Sequence, residues 1–181
     1  MAQNPPKRVW IMKIGIDISQ IAYEGTGVGE YVRHLTEELL KVDKKNEYVF
    51  FYSSLRRKFP ISKKVTIRNF PIPPTILDLL WNRLHIFPIE WLIGDIDIFI
   101  SSDWTQPPTK RAKKATILYD LIVYKHPHET DKKIVETQKR RLSWVKKECD
   151  VIFCISEATK RDAMNILAID EGRLRVVYPG I

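Results

Sequence analysis

The 181-residue chain is 44% hydrophobic and 29% charged, which fits one globular domain with a full hydrophobic core and excludes a disordered, fibrous or disulfide-stapled chain. Its formal charge of +8 favours an anionic partner but does not choose between nucleic acid, acidic lipid and a phosphorylated substrate. The two cysteines, Cys149 and Cys154, match no metal or redox spacing, so they read as buried free thiols in a reducing cytoplasm.

Residues 1–11 read as a disordered leader. The apolar run from Val9 to Ile18 is too short and too interrupted, by Lys13 and Asp17, for a signal peptide, and is read as the first strand, 12–18. A glycine-rich loop follows, Gly25-Thr26-Gly27-Val28-Gly29, and then a helix over 28–42 whose Val28, Tyr31, Val32, Leu35, Leu39 and Val42 form one apolar stripe. Further strands are expected at 47–52, 64–69, 96–100, 115–119, 150–155 and 174–178, with helices at 75–84, 131–148 and 157–167. Asp131 and Ser156 are placed to cap the last two helices. Glu90, Asp95 and Asp97 exclude a membrane span in the apolar stretch 86–100. This alternation predicts an α/β domain over 12–178: a Rossmann-like, doubly wound, mostly parallel sheet of about seven strands with helices on both faces. Pro179-Gly180 then opens a linker, 179–181.

The glycine loop is neither a dinucleotide fingerprint, which needs G-x-G-x-x-G close behind the strand, nor a Walker A loop, since no G-K-[ST] follows. It either simply turns the chain into the helix or brings backbone amides close to a phosphate or sugar at a helix N-terminus. His126-Pro127-His128-Glu129 has no distant third ligand and reads as an ordinary loop, so no metal is expected. His34 and His85 read as surface residues, and Trp81, Trp91 and Trp144 as core or interface. Trp104 follows a strand end and is the better sugar-stacking candidate. Lys132, Lys133, Lys139, Arg140, Lys146 and Lys147 form the polar face of helix 131–148 and, with Lys110, Arg111, Lys113 and Lys114, could meet an acidic membrane surface; a solvated face is the alternative.

Four blocks, in order, resemble the N-terminal domain of glycosyltransferase family four, the retaining two-domain GT-B enzymes. They are Ile16-Asp17-Ile18 with Gly25-Thr26-Gly27-Val28-Gly29-Glu30-Tyr31; the run from Asp97 to Pro108; Ala115-Thr116-Ile117-Leu118-Tyr119-Asp120-Leu121; and the run from Asp150 to Asp162, ending in Arg175-Val176-Val177-Tyr178-Pro179-Gly180. The resemblance implies an acceptor-side domain that is incomplete, and inactive, without a C-terminal donor-binding domain in cis or on a separate chain. It implies hexose transfer from a nucleotide-diphosphate sugar to a glycan or lipid-linked acceptor, as in polysaccharide biosynthesis, without a metal or other cofactor; no nucleic-acid partner is expected, because the basic residues are scattered and no recognised nucleic-acid module occurs. It implies a cytoplasmic location, peripheral on the inner face of the membrane. By the same match Gly25, Gly27, Val28 and Gly29 form the donor loop, Asp103 and Trp104 bind acceptor, and Tyr119 and Asp120 are catalytic. Tyr119 stands where the family usually carries histidine, and Ile100 where relatives commonly do. Tyrosine donates a hydrogen bond but does not become a cation near neutral pH. The alternative is a non-catalytic glycan- or partner-binding domain derived from such an enzyme.

Overall fold

The structure, a computed structural model, describes residues 10–57 and 65–180. Most of the predicted leader (1–9), residue 64 at the expected start of the third strand, and Ile181 in the expected linker lie outside the described residues.

Seven strands form one sheet in the order β3-β2-β1-β4-β5-β6-β7. They are β1 (Lys13–Asp17), β2 (Glu47–Ser53), β3 (Thr66–Phe70), β4 (Ile98–Ser101), β5 (Lys113–Leu118), β6 (Val151–Cys154) and β7 (Leu174–Val176). Every neighbouring pair is parallel. The chain steps outward from β1 to β3, then returns to β4 on the other side of β1, so the strand order reverses between β1 and β4. In such sheets the carboxyl ends of the strands at this reversal leave an open crevice.

Both faces of the sheet are covered, which is why β2 reads Glu-Tyr-Val-Phe-Phe-Tyr-Ser without polar alternation. Val49 and Phe51 pack with Trp81, Ile89 and Ile93. Phe50 and Tyr52 pack with Ile21 and Val32. A third cluster joins Leu118 and Ile152 to Leu142, Val145 and Ala163.

The helices are α1 (Gly27–Val42), α2 (Pro74–Leu77), α3 (Glu90–Ile93), α4 (Ile122–Lys125), α5 (Lys132–Glu148) and α6 (Glu157–Leu167). Caps begin the long ones: Thr26, Asp131 and Ser156 accept from the amides of Gly29, Lys133 and Thr159. The apolar stripe of α1 stops short of Val42, its last residue, which is 75% exposed.

The single helix expected at 75–84 is a short α-helical turn followed by a π-helical one, Asp78–Arg83. The wider turn lets Asn82 face inward. Its side chain donates to Asp78 Oδ1 and to the Trp104 carbonyl at 3.0 and 3.1 Å, and accepts from the Gln106 amide at 3.0 Å. Polar residues inside a helix give no periodic signal for such a widening, and π turns recur where a helix positions a functional loop.

His85 corrects the surface assignment. Its ring lies flat on Trp144 at 3.6 Å and bonds the Trp81 carbonyl at 2.8 Å and Glu148 at 2.9 Å. Arg140 also departs from the solvated face, bonding Asp78 Oδ2 at 3.1 Å and Thr137 at 3.0 Å. Trp81 is core, Trp144 is partly buried, and Trp91 is 57% exposed. Cys149 and Cys154 are free and buried, their thiols pushed up to about 12 and about 11, chiefly by burial. Among the described residues no helix is long and apolar enough to cross a membrane.

Candidate functional site

The turn after β1 begins the site. Asp17 is buried at the strand end, and its carboxyl accepts from the Ser19 amide at 2.9 Å, so it holds the 3-10 turn Ser19–Ala22. Burial raises its pKa against the opposing bonds from Ser19 and the charge of Arg141.

The three loop glycines differ in their reasons. Gly25 has φ +75°, a left-handed conformation that glycine adopts without penalty. At Gly29 an added Cβ would lie 2.9 Å from the carbonyl oxygens of Gln20 and Tyr23 and from Thr26 Oγ1, so α1 can approach the turn only without a side chain there. Gly27 has neither reason: no atom lies within 4 Å of its would-be Cβ, and its φ is not positive. Among the described residues no acceptor faces the Gly27 or Val28 amide, whereas the Gly29 and Glu30 amides are taken by Thr26. The loop thus turns the chain and also leaves two amides open at a helix N-terminus.

Loops after β4 and β5 complete the site. A cavity of about 160 Å³ is lined by Val28 from α1, Asp103 and Trp104 after β4, Tyr119 and Asp120 after β5, and Gln138 from α5, among others. Five of the eight residues expected at the site therefore line one space. Gly25, Gly27 and Gly29 do not line it; Gly27 instead lines a separate cleft of about 590 Å³ with Tyr31, His34 and Tyr178. Trp104 also walls a small crevice beside Asp17, Ser19 and Tyr23. A larger cleft of about 600 Å³, at Lys13, Asp43, Tyr48 and Arg68, gathers none of these residues.

Tyr119 is 9% exposed, and its hydroxyl has no hydrogen-bond partner among the described residues. Its ring meets Tyr31 of α1 edge-on at 5.4 Å. Burial, then the charge of Asp103, drives its pKa far above the ordinary value, so it is a neutral hydroxyl able to donate or accept. Asp120 is exposed, and its Oδ1 accepts from the Ile122 amide at 3.0 Å. Ile100 is partly buried within β4 and packs in the α1-side cluster, short of the cavity.

Asp103 also has a raised pKa, chiefly from burial and secondarily from Asp120, opposed by Arg141 and Gln138. Arg141 is the residue that the sequence reading passed over. It is 1% exposed and donates to the Ser102 carbonyl and Thr116 Oγ1, both at 2.7 Å, and to the Ile117 carbonyl at 3.2 Å. A signal existed: Arg141 stands three residues after Gln138 and four before Val145, on the buried side of α5. The His126–Glu129 loop is exposed and internally paired, His126 Nδ1 lying 3.2 Å from Glu129. No group of three or more His, Cys, Asp or Glu residues suited to a metal is found among the described residues.

The sequence model described as Glycosyltransferase Family 4 matches residues 25–181. No protein of curated function matches the sequence. Among solved structures, the fold resembles an alpha-glucosyltransferase in complex with UDP and a 13-mer DNA containing an HMU base, with TM-score 0.54 and 17% identity over 95% of this chain and 43% of that one. It also resembles an alpha-glucosyltransferase in complex with UDP, with TM-score 0.51 and 17% identity over 94% of this chain and 44% of that one. The chain spans less than half the length of either structure. At this identity the likeness concerns the fold, a Rossmann-like α/β unit.

Proposed function

This chain belongs to glycosyltransferase family 4, and we propose that it forms the acceptor-side half of a retaining hexosyltransferase site. The observation that carries the reading is the convergence of Val28, Asp103, Trp104, Tyr119 and Asp120 on one cavity at the reversal of strand order. The donor is a nucleotide-diphosphate sugar, gripped mainly by a second domain. The open amides of Gly27 and Val28, at the positive end of the α1 dipole, suit its departing diphosphate. Trp104 offers a face for the acceptor sugar, while Asp103 and Asp120 accept from its hydroxyls and Tyr119 donates to the reacting groups. No metal is required for this division of labour. The acceptor is a glycan or lipid-linked sugar of surface-polysaccharide synthesis, met in the cytoplasm. The exposed Lys132, Lys133, Lys139, Lys146 and Lys147 suit docking on acidic lipid at the inner membrane face.

The test uses radiolabelled nucleotide-diphosphate hexoses with glycan and lipid-linked acceptors. It is run with the chain alone and with the chain joined to the donor-binding half of a family 4 enzyme. Transfer is expected only from the joined protein. Robust turnover by the chain alone refutes the half-site reading. Equal recovery on acidic and neutral vesicles in flotation removes the membrane component.

A second reading, a glycan- or partner-binding domain without chemistry, draws on Tyr119 and Ile100 at positions where histidine is usual. Tyr119→His with Ile100→His in the joined protein separates the two. A large gain in rate marks a catalytic scaffold; no gain, with glycan binding retained, favours the binding domain.

A further inference from the structure

The cavity lining contains Asp103 and Asp120 but no lysine or arginine, although the whole chain carries a formal charge of +8. Arg141 is buried and outside the lining, yet reaches one of its carboxylates. Its Nη1 lies 3.9 Å from Asp103 Oδ1, and its Nη2 is fully engaged with Ser102, Thr116 and Ile117. One helical turn earlier on α5, Gln138 donates to the Asp103 carbonyl at 2.7 Å, and its own Oε1 lies 3.5 Å from Arg141 Nη1. Two residues of α5 thus hold Asp103: Gln138, itself in the cavity wall, by the backbone, and Arg141, outside the lining, by its charge.

We propose that Arg141 is a positioning residue that keeps Asp103 ionised and turned to the cavity, as the hydrogen-bond acceptor for an uncharged hydroxyl of the acceptor molecule. This rests on the acceptor-side reading above and adds a substrate class to it. With two carboxylates and no cation in the wall, the Asp103–Asp120 side of the cavity takes a neutral polyol group and disfavours a phosphate or carboxylate, which leaves the diphosphate to the Gly27 and Val28 amides at the other side. The overall positive charge belongs to other surfaces.

The groups acting on the Asp103 carboxyl are Arg141 and Gln138 from α5 and Asp120 from the end of β5; Tyr119 of that same strand end senses the Asp103 charge. Burial raises the Asp103 pKa, Asp120 raises it further, and Arg141 opposes both. Removing the guanidinium therefore moves the carboxyl toward its protonated form, which has one oxygen occupied as a donor and no charge to accept with.

The experiment needs no substrate, so its failure is separable from failure of the glycosyltransferase reading. The aspartate side-chain carboxyl carbons of the full chain are titrated by NMR, with Asp103 assigned by Asp103→Asn. Arg141→Gln is expected to raise the Asp103 midpoint by about one pH unit or more. Arg141→Lys should keep it near the wild-type value, a rescue that a purely space-filling role would not produce. Asp120→Asn, at an exposed position, should lower it. An unmoved midpoint in folded Arg141→Gln overturns the proposal. Should that variant not fold, Arg141→Met is titrated instead: a raised Asp103 midpoint supports the proposal and an unmoved one overturns it.

Discussion

The two edges of the sheet treat their polar groups in opposite ways. At the amino edge, acids and bases are mutually engaged, apart from Glu90 Oε2, which is buried without a partner among the described residues while its Oε1 accepts from the amides just before β5. Glu148 bonds both Lys114 and His85, Asp150 bonds Lys113 and the Lys114 amide, and Asp97 accepts from the Lys13 amide. At the carboxyl edge, the Tyr119 hydroxyl, Arg141 Nε and Gln106 Nε2 are buried without hydrogen-bond partners among the described residues, and the Gly27 and Val28 amides stay open. Buried polar groups normally find partners, because leaving one unmade costs about 1–3 kcal/mol. The contrast therefore separates an edge whose charged groups are paired across elements from an edge at which several buried polar groups stay unpaired.

The comparison is most exposed to a change at the engaged edge. Glu148→Ala strands Lys114 and His85, which are 13% and 10% exposed, and should cost about 3 kcal/mol in urea denaturation. A loss below about 0.5 kcal/mol would mean that the network carries little of the fold. Gly29→Ala should follow, at about 1–3 kcal/mol, because the new methyl meets two backbone oxygens that cannot rotate away. Tyr119→Phe should leave stability unchanged or raise it by up to about 1 kcal/mol while impairing transfer by the joined enzyme, since the hydroxyl removed has no protein partner. A clear destabilisation by this variant would show that the hydroxyl serves the fold.

Acid should separate the edges by sign. Asp17 is raised by burial, so its ionisation opposes folding at neutral pH and ceases to matter below the unfolded value of about 3.9. Asp17→Asn should therefore be more stable than the parent at neutral pH, with the advantage vanishing toward pH 4 and below. Burial would raise Asp150 too, but its bonds from the Lys114 amide and Lys113 outweigh this and lower it. Its ionisation supports folding above the unfolded value, and that support is lost as pH falls through the folded one. Asp150→Asn should be less stable at neutral pH, with the deficit closing in acid. Urea midpoints at a series of pH values check both signs. The smallest effect belongs to Gly27→Ala, within about 0.5 kcal/mol by the same method, because its side-chain direction is empty. Any loss of donor binding by a stable Gly27→Ala in the joined enzyme would then report on the ligand rather than on the loop.

Much of this site was legible in the residue string. Asp103, Trp104, Tyr119, Asp120 and Val28 all follow apolar runs or the glycine loop, so predicting the strands also placed them at one edge of the sheet. Arg141 was less visible, because directly after Lys139 and Arg140 it reads as part of a charged helix face until its burial is known. His85 was not legible at all: its partner Glu148 is 63 positions away, and no local pattern joins them.

Local order thus settled the succession of the strands and the three long helices, the Asp131 and Ser156 caps and the parallel architecture, since each depends on side-chain periodicity and on turn residues within a few positions of one another; the short α3 and α4 and the Thr26 cap were not expected from it. Only the tertiary structure decided which glycine is sterically required, that α2 passes into a π turn to hold the Trp104 loop, and that Tyr119 and Arg141 keep unsatisfied polar atoms beneath the surface. Those outcomes depend on close approach between segments distant in sequence, where burial and hydrogen-bond geometry are set jointly by elements that do not specify them singly.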